Sequence, residues 1–576
     1  MANDQTSRRL FLGQAATIGA ASAANTVMAS AMQSLSVPLR NEEQFRSDVV
    51  VAKDNLSIVE TRAGKVRGFM KNGIHVFRGV PYGASTGGAS RFMPPKEPEP
   101  WTGIRSSLYY GHVSPFTPRT RWSNDEEAFM FQWNDGQSAE DCLHINVWTP
   151  GLHNTRKRPV MVWLHGGAFA YGSGQELRSY DGENLSKRND VVVVTLNHRL
   201  NAFGFLNLAE HGGEQFAASG NVGMLDLVLA LEWVRDNITA FGGDPGSVMI
   251  FGQSGGGGKV STLMGMPSAK GLFHRAVIQS GSMLRIKEPE DTYRMTALVL
   301  AELNIARHDV KKLKEVSIEQ LMDAGLAAER KMIPNPADPP DFRNLMEQLA
   351  WAPVVDGSIV PVQPFDPHAP ASAVDIPMII GSTLNEFVNG INDPDAFSMK
   401  RQQLTENLNI RYGSRTEEII ETFQREYPNA APYQLYSIIL ASSVRSAAVE
   451  QARRKTMLKG APVYLYHFTW QTPILDGRPL AFHCSDLAFC WDNVARCDTM
   501  TGGGAEANRL ASVMSESWAS FAHTGNPNHK RLQHWPVFDE ASVPTKIFDN
   551  ECLTKNDPDG ASRRLMDSLA RSNKGK

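Results

Sequence analysis

Val248-Met249-Ile250-Phe251-Gly252-Gln253-Ser254-Gly255-Gly256, residues 248–256, is the stretch that decides the fold. Val248 to Phe251 is a short apolar run of the buried-strand type, and a helical stretch from about Gly257 to Met266 follows it. Between them stands a G-x-S-x-G motif, whose strand–turn–helix setting carries more information than its letters. A serine on such a tight turn has its backbone strained and its hydroxyl exposed. Only glycine-sized residues fit two positions on either side. Ser254 is therefore a candidate nucleophile. The same glycine run, ending in Lys259, also suggests a phosphate loop. That pattern fails, because Gln253 stands where glycine is needed and Val260 where Ser or Thr is needed.

Outward from this motif the rhythm repeats. Val160–Leu164, Val191–Thr195, Ala276–Ile278, Ile376–Ile380 and Val463–Tyr466 are further short apolar runs. Runs of this kind suit strands covered on both faces. Between them lie helical patterns, the clearest from Leu225 to about Phe241. Alternating strands and helices predict an α/β fold with a mostly parallel central sheet covered by helices. A β-rich lead precedes it, with strands expected at Gly64–Gly68 and Ile74–Gly79. Two charged, helical stretches near 285–350 and 393–458 interrupt the rhythm. They are expected as insertions at one end of the sheet, roofing a pocket.

His165-Gly166-Gly167-Ala168 closes the Val160–Leu164 strand. A tetrahedral intermediate carries negative charge on the former carbonyl oxygen, and fixed backbone N–H groups stabilise that charge without reorganising. A glycine pair lets the backbone approach the oxygen. The amides of Gly166, Gly167 and Gly255 are the expected donors, with His165 structural. Gly-Gly after a strand is otherwise an ordinary turn; the serine motif further on gives it its meaning.

The 576 residues are 42% apolar and 21% charged, an ordinary globular composition, and the net charge of -3 provides no field for nucleic acid. Residues 1–31 read as a twin-arginine-type signal peptide. Arg8-Arg9 precede a weakly apolar, uncharged stretch that ends at Ala29-Ser30-Ala31. The stretch is too short and too weakly apolar for a stable membrane anchor. The expected partners are thus the twin-arginine export machinery and a small-molecule substrate, and the expected location is periplasmic or secreted. Residues 32–50 read as a linker, 51–560 as the catalytic domain and 561–576 as a C-terminal tail. Five cysteines, Cys142, Cys484, Cys490, Cys497 and Cys552, make no disulfide framework and no metal knuckle. One bridge among the last four is left open.

Several separated motifs in one order resemble the type-B carboxylesterase family, which includes the cholinesterases, from about residue 57 to about 550. They are Phe77-Arg78-Gly79-Val80-Pro81-Tyr82, Glu140-Asp141-Cys142-Leu143-His144-Ile145-Asn146-Val147, Phe241-Gly242-Gly243-Asp244-Pro245, Phe251 to Gly256, and Gln279-Ser280-Gly281-Ser282. The resemblance implies the α/β-hydrolase fold, hydrolysis of a carboxylic ester and no cofactor. It also implies the remaining triad members: Glu386 in Gly381-Ser382-Thr383-Leu384-Asn385-Glu386, and His483 in His483-Cys484-Ser485-Asp486. Serine, acid, histidine is the chain order this fold requires. Histidine would take the serine proton, and the acid would fix its tautomer. Rival histidines His198 and His467 fall at the wrong places in the series. The rival acids are Asp375 and Asp486, and Asp486 is expected as a buried carboxylate near the histidine loop. Three departures stand out. No cysteine precedes Cys142, so packing must hold that loop. Gln253 replaces the family's usual glutamate, and Gly255 its usual alanine. A second reading keeps the fold but changes the bond to an amide, a thioester or a lipid ester. A third is a non-enzymatic adhesion or binding homologue, but such members have lost triad residues that are present here.

Overall fold

Each apolar run named above falls on a strand, with its bounds moved by one to five residues. The computed structural model describes residues 49–117, 125–153, 156–332 and 349–574. The expected signal peptide and nearly all of the linker lie outside the described residues. The compact unit runs from Val50 to Lys576.

The N-terminal part supplies β1 (Val50–Val51), β2 (Ile58–Thr61), β3 (Gly64–Arg67), β4 (Phe69–Lys71), β5 (Ile74–Pro81), β6 (Ile104–Ser106) and β7 (His144–Thr149). Then come β8 (Arg158–Leu164), β9 (Val192–Leu196), β10 (Gly243–Gln253), β11 (Arg275–Gln279), β12 (Met378–Thr383), β13 (Val463–Phe468), β14 (Pro544–Phe548) and β15 (Leu553–Asn556). β2, β3 and β6 form a small sheet of their own. The other twelve strands form one sheet in the order β1-β4-β5-β7-β9-β8-β10-β11-β12-β13-β14-β15. Its centre, β9 through β14, is parallel, and antiparallel strands flank it on both sides.

Helices cover both faces, which explains why the central strands read as unbroken apolar runs. Side chains of β8 alternate between the two layers. Val160, Val162 and Leu164 enter one core, and Met161 and Trp163 enter the other. The helix Val222–Asn237 ends in a tighter turn at Ile238–Phe241. By length and composition the segment Glu214–Phe241 could cross a membrane, but its most apolar 18-residue window is 78% buried inside the protein.

The chain passes from β8 outward to β9 and then returns to β10 on the other side of β8. That reversal creates a crevice at the carboxyl ends of the strands, where ligands bind in open α/β sheets. Register does the rest: Leu164 pairs with Gly252. The loop opening at His165 is thereby set against the turn at Ser254.

Two expectations about the periphery need correction. The described part of 561–576 is not a tail, since Gly560–Lys574 is a helix that packs on the helices Thr416–Glu426 and Pro432–Thr456. The stretch 393–458 is not wholly an end insertion. Of it, the 25 residues Pro432–Thr456 form a helix laid along β12 and β13. The stretch near 285–350 holds the helices Pro289–Glu302 and Ile318–Met332, and residues 333–348 lie outside the described residues. The five cysteines form no disulfide. Cys142 is fully buried, and its loop is held by more than packing: Arg91 grips Glu140 through two hydrogen bonds of 2.6 Å.

Candidate active site

Ser254 sits between β10 and the helix Gly255–Gly265, with φ 57° and ψ -127°. That conformation is sparsely populated for a residue with a side chain, and holding it costs about 1–3 kcal/mol. The surroundings over-determine it. The Ser254 amide donates to the Gln279 carbonyl of β11 at 2.8 Å, and the Gly258 amide donates to the Ser254 carbonyl at 3.1 Å. The glycines are needed for space: a Cβ on Gly256 would lie 2.0 Å from the Leu164 oxygen, and one on Gly255 2.1 Å from the Ala168 oxygen. The loop after β8 therefore rests directly on the nucleophile turn.

In that loop Gly167 and Ala168 have φ of 77° and 54°. The Gly167 carbonyl accepts from the amides of Ala170 and Tyr171, both at 3.2 Å. Burial raises the Tyr180 pKa well above the usual tyrosine value, and the backbone of Gly166, one of the three expected donors, tempers that rise. Among the described residues, no protein acceptor takes the amides of Gly167, Ala168 or Gly255. His165 is fully buried, with Nδ1 3.0 Å from the Gly166 carbonyl, and burial holds its pKa well below the usual histidine value.

Glu386 follows β12 and His483 follows β13, and a short ladder joins their loops. The Asn385 amide donates to the Ala481 carbonyl at 3.1 Å, and the Ala481 amide returns to Asn385 Oδ1 at 3.1 Å. The His483 amide donates to the Glu386 carbonyl at 2.8 Å. Ser437 of the Pro432–Thr456 helix braces the first loop by donating to the Asn385 and Val388 carbonyls. The side chains then meet: His483 Nδ1 lies 2.5 Å from Glu386 Oε2, while the Thr383 amide donates to Oε1 at 2.9 Å. Glu386 is fully buried and His483 partly exposed.

His483 Nε2 faces the Gln253 carboxamide nitrogen at 3.0 Å, and the Cys484 thiol donates to Gln253 Oε1 at 3.3 Å. With Nδ1–H given to Glu386, Nε2 is the acceptor for the Gln253 N–H. The structure thus brings His483 onto Glu386 and onto the residue adjoining Ser254. It closes no hydrogen bond between His483 and the Ser254 hydroxyl itself. Such contacts are often loose in an enzyme without substrate.

The rivals sit elsewhere. His198 is buried and stacked on His165, with centroids 5.1 Å apart. His467 lies in β13 against Ser382 Oγ, and burial pulls its pKa down to about 3. Asp375 acts electrostatically on Lys455. Asp486 is fully buried and accepts from Gln279 and Tyr466 on Oδ2, both at 2.9 Å, and burial raises its pKa to about 6. Among the described residues, no group of three or more His, Cys, Asp or Glu side chains is placed to hold a metal ion.

One residue of this neighbourhood escaped the sequence reading. Lys259, set aside there with the rejected phosphate loop, is fully buried on the helix behind Ser254. Its only signal was a charge inside a run of small and apolar residues.

The model of the carboxylesterase family matches residues 55–561. The para-nitrobenzyl esterase of Bacillus subtilis (strain 168) is 33% identical over 88% of this chain and 98% of its own length. The phenmedipham hydrolase of Pseudarthrobacter oxydans is 31% identical over 84% and 92%. Among solved structures, a carboxylesterase of Geobacillus stearothermophilus superposes with a TM-score of 0.72 at 33% identity, covering 88% of this chain and 99% of its own. An esterase from Clostridium hathewayi, described as able to hydrolyse aliphatic aromatic polyesters, gives 0.74 at 34%, covering 90% and 99%. With this fold, this turn and this match over residues 55–561, the protein belongs to the carboxylesterase family, type B, and is a carboxylic ester hydrolase of the α/β-hydrolase fold.

Proposed function

We propose that Ser254 is the nucleophile, His483 the general base and acid, and Glu386 the residue that orients the histidine. The observation that carries this reading is the 2.5 Å contact between His483 and Glu386, made beside the strained turn that holds Ser254. When an ester enters, the Gln253 carboxamide yields Nε2 to the Ser254 hydroxyl. Ser254 Oγ bonds to the ester carbonyl carbon as its proton passes to Nε2. The resulting oxyanion is received by the amides of Gly167 and Gly255. His483 then returns the proton to the departing alkoxide, leaving an acyl-enzyme. Water, activated by the same histidine, releases the acid. Purified mature protein should hydrolyse a short-chain 4-nitrophenyl ester with an initial burst of nitrophenol, and far faster than the matching 4-nitroanilide. Preference for the anilide would overturn the ester reading in favour of an amidase.

Gln253 points to the kind of ester. Its side chain is almost fully buried and ends on His483. A carboxylate in that place would attract a cationic substrate group, by on the order of a few kcal/mol at short range. Gln253 carries no such charge, so neutral esters should be preferred over choline-like ones. Gln253→Glu should raise kcat/KM for a quaternary-ammonium ester relative to a neutral ester of matched size by roughly tenfold, a shift of about 1.4 kcal/mol. An unchanged ratio would make Gln253 a brace for the turn and nothing more.

Export is the other part of the proposal. Arg8-Arg9 before the weakly apolar stretch supports passage of the folded chain through the twin-arginine machinery to the periplasm or beyond. Replacing both arginines with lysine should leave the esterase activity in the cytoplasmic fraction. Normal periplasmic amounts of the double variant would mean a signal of another type.

A further inference from the structure

Lys259 lies one and a half helical turns beyond Ser254, on the helix Gly255–Gly265, and is shielded from solvent on every side. Its ammonium group donates to the His165 carbonyl at 2.8 Å and reaches the Gly166 carbonyl at 3.5 Å. The Phe169 ring lies 5.7 Å from Nζ, and the carboxylate of Glu176 is its favourable electrostatic partner. Burial nevertheless lowers its pKa to about 7 and keeps the neighbouring His165 and His198 far below their usual values. A lysine buried here is costly, and the mechanism above gives it no proton to move.

The two carbonyls it touches are not arbitrary. A peptide unit is planar and trans, so its C=O and N–H point in opposite directions. The carbonyl of Gly166 belongs to the unit whose N–H is that of Gly167. The carbonyl of His165 belongs to the unit whose N–H is that of Gly166. Anything that grips these oxygens from behind the loop aims the amides forward. A cation there also polarises the peptide groups and makes their N–H better donors. We propose that Lys259 is a positioning residue for ester hydrolysis: from behind the loop it locks the His165–Gly166 and Gly166–Gly167 peptide planes, so that the Gly167 amide meets the oxyanion. The inference rests on Ser254 and Gly167 acting as described above.

A residue of this kind acts on the transition state and leaves ground-state binding alone. Lys259→Met replaces the aliphatic stem and removes both the charge and the donor; Lys259→Gln keeps a donor. Both are to be measured for kcat and KM on a neutral ester. Inhibition is to be measured with a trifluoromethyl ketone, which forms a tetrahedral adduct with serine, and with a non-reactive alcohol analogue of the same shape. Lys259→Met should lower kcat by roughly ten- to a hundredfold, within the range of losing one oxyanion donor. It should weaken the ketone in parallel and leave KM and the alcohol within about twofold, taking a twofold change as negligible on the scale of a tenfold step. Its melting temperature should fall, since the His165 carbonyl and the Glu176 carboxylate lose a buried partner, and kcat is therefore read where both variants remain folded. Lys259→Gln should retain more of the kcat than Lys259→Met. Undiminished kcat and ketone affinity in folded Lys259→Met, or a loss in Lys259→Gln as large as in Lys259→Met, would overturn the role of Lys259 alone. A wild-type Ser254 that forms no adduct with the ketone would overturn the reading of Ser254 as well.

Discussion

Ser254→Ala is expected to lower kcat for ester hydrolysis by about 10⁴-fold or more while the protein keeps its circular dichroism spectrum and melting temperature. The hydroxyl is the atom that bonds to the acyl carbon, and nothing beside it can replace it: Gln253 carries a carboxamide, and the residues that follow are glycines. What remains in the variant is the oxyanion pocket acting on water. KM, which reflects the pocket and not the hydroxyl, should change little. The fold should survive because the turn is held by backbone contacts to Gln279 and Gly258, which alanine also makes. Full activity with an unchanged spectrum would remove Ser254 from the mechanism and leave the turn without a chemical role.

The parts of this site were not equally legible in the sequence. Ser254 could be read because its surroundings are local: strand, turn and helix lie within about twenty residues, and crowding at the turn leaves a visible trace in glycine. Gly167 could be read for the same reason. Glu386 and His483 could not be paired by local reasoning, since 97 residues separate them and the ladder at Asn385, Ala481 and Phe482 exists only once β12 and β13 lie side by side. The family resemblance supplied them.

Lys259 was missed because a lysine after a glycine run ordinarily reaches solvent. Only the sheet packed in front, with the loop from His165 to Phe169 over it, leaves this face of the helix no water. The helix Pro432–Thr456 was misplaced for a related reason. Its charges cluster in the last turn while its middle is buried among polar contacts such as Gln451 with Ser261 and Arg445 with Asp559. A composition rich in charge therefore read as periphery.

Glu386→Gln should cost about 10⁴-fold in kcat, although the replacement has nearly the same shape. The reason is a constraint on which way the new carboxamide faces. Thr383 presents an N–H to Oε1, so the oxygen of glutamine must stay there, and the amino group is forced toward His483 Nδ1. An N–H facing Nδ1 requires that nitrogen to be an acceptor, and the ring then carries its proton on Nε2. In that tautomer His483 cannot take the proton of Ser254, and no negative charge remains to stabilise the imidazolium if it forms. KM should be nearly unchanged, because Glu386 is fully buried and away from the pocket surface. Asp486→Asn is the control. That carboxylate is held by Gln279 and Tyr466, so its replacement should disturb stability more than turnover. If Asp486→Asn abolished turnover while Glu386→Gln left kcat within about tenfold of wild type, less than about 1.4 kcal/mol of barrier, the acid would be Asp486. The 2.5 Å contact would then be a structural bond.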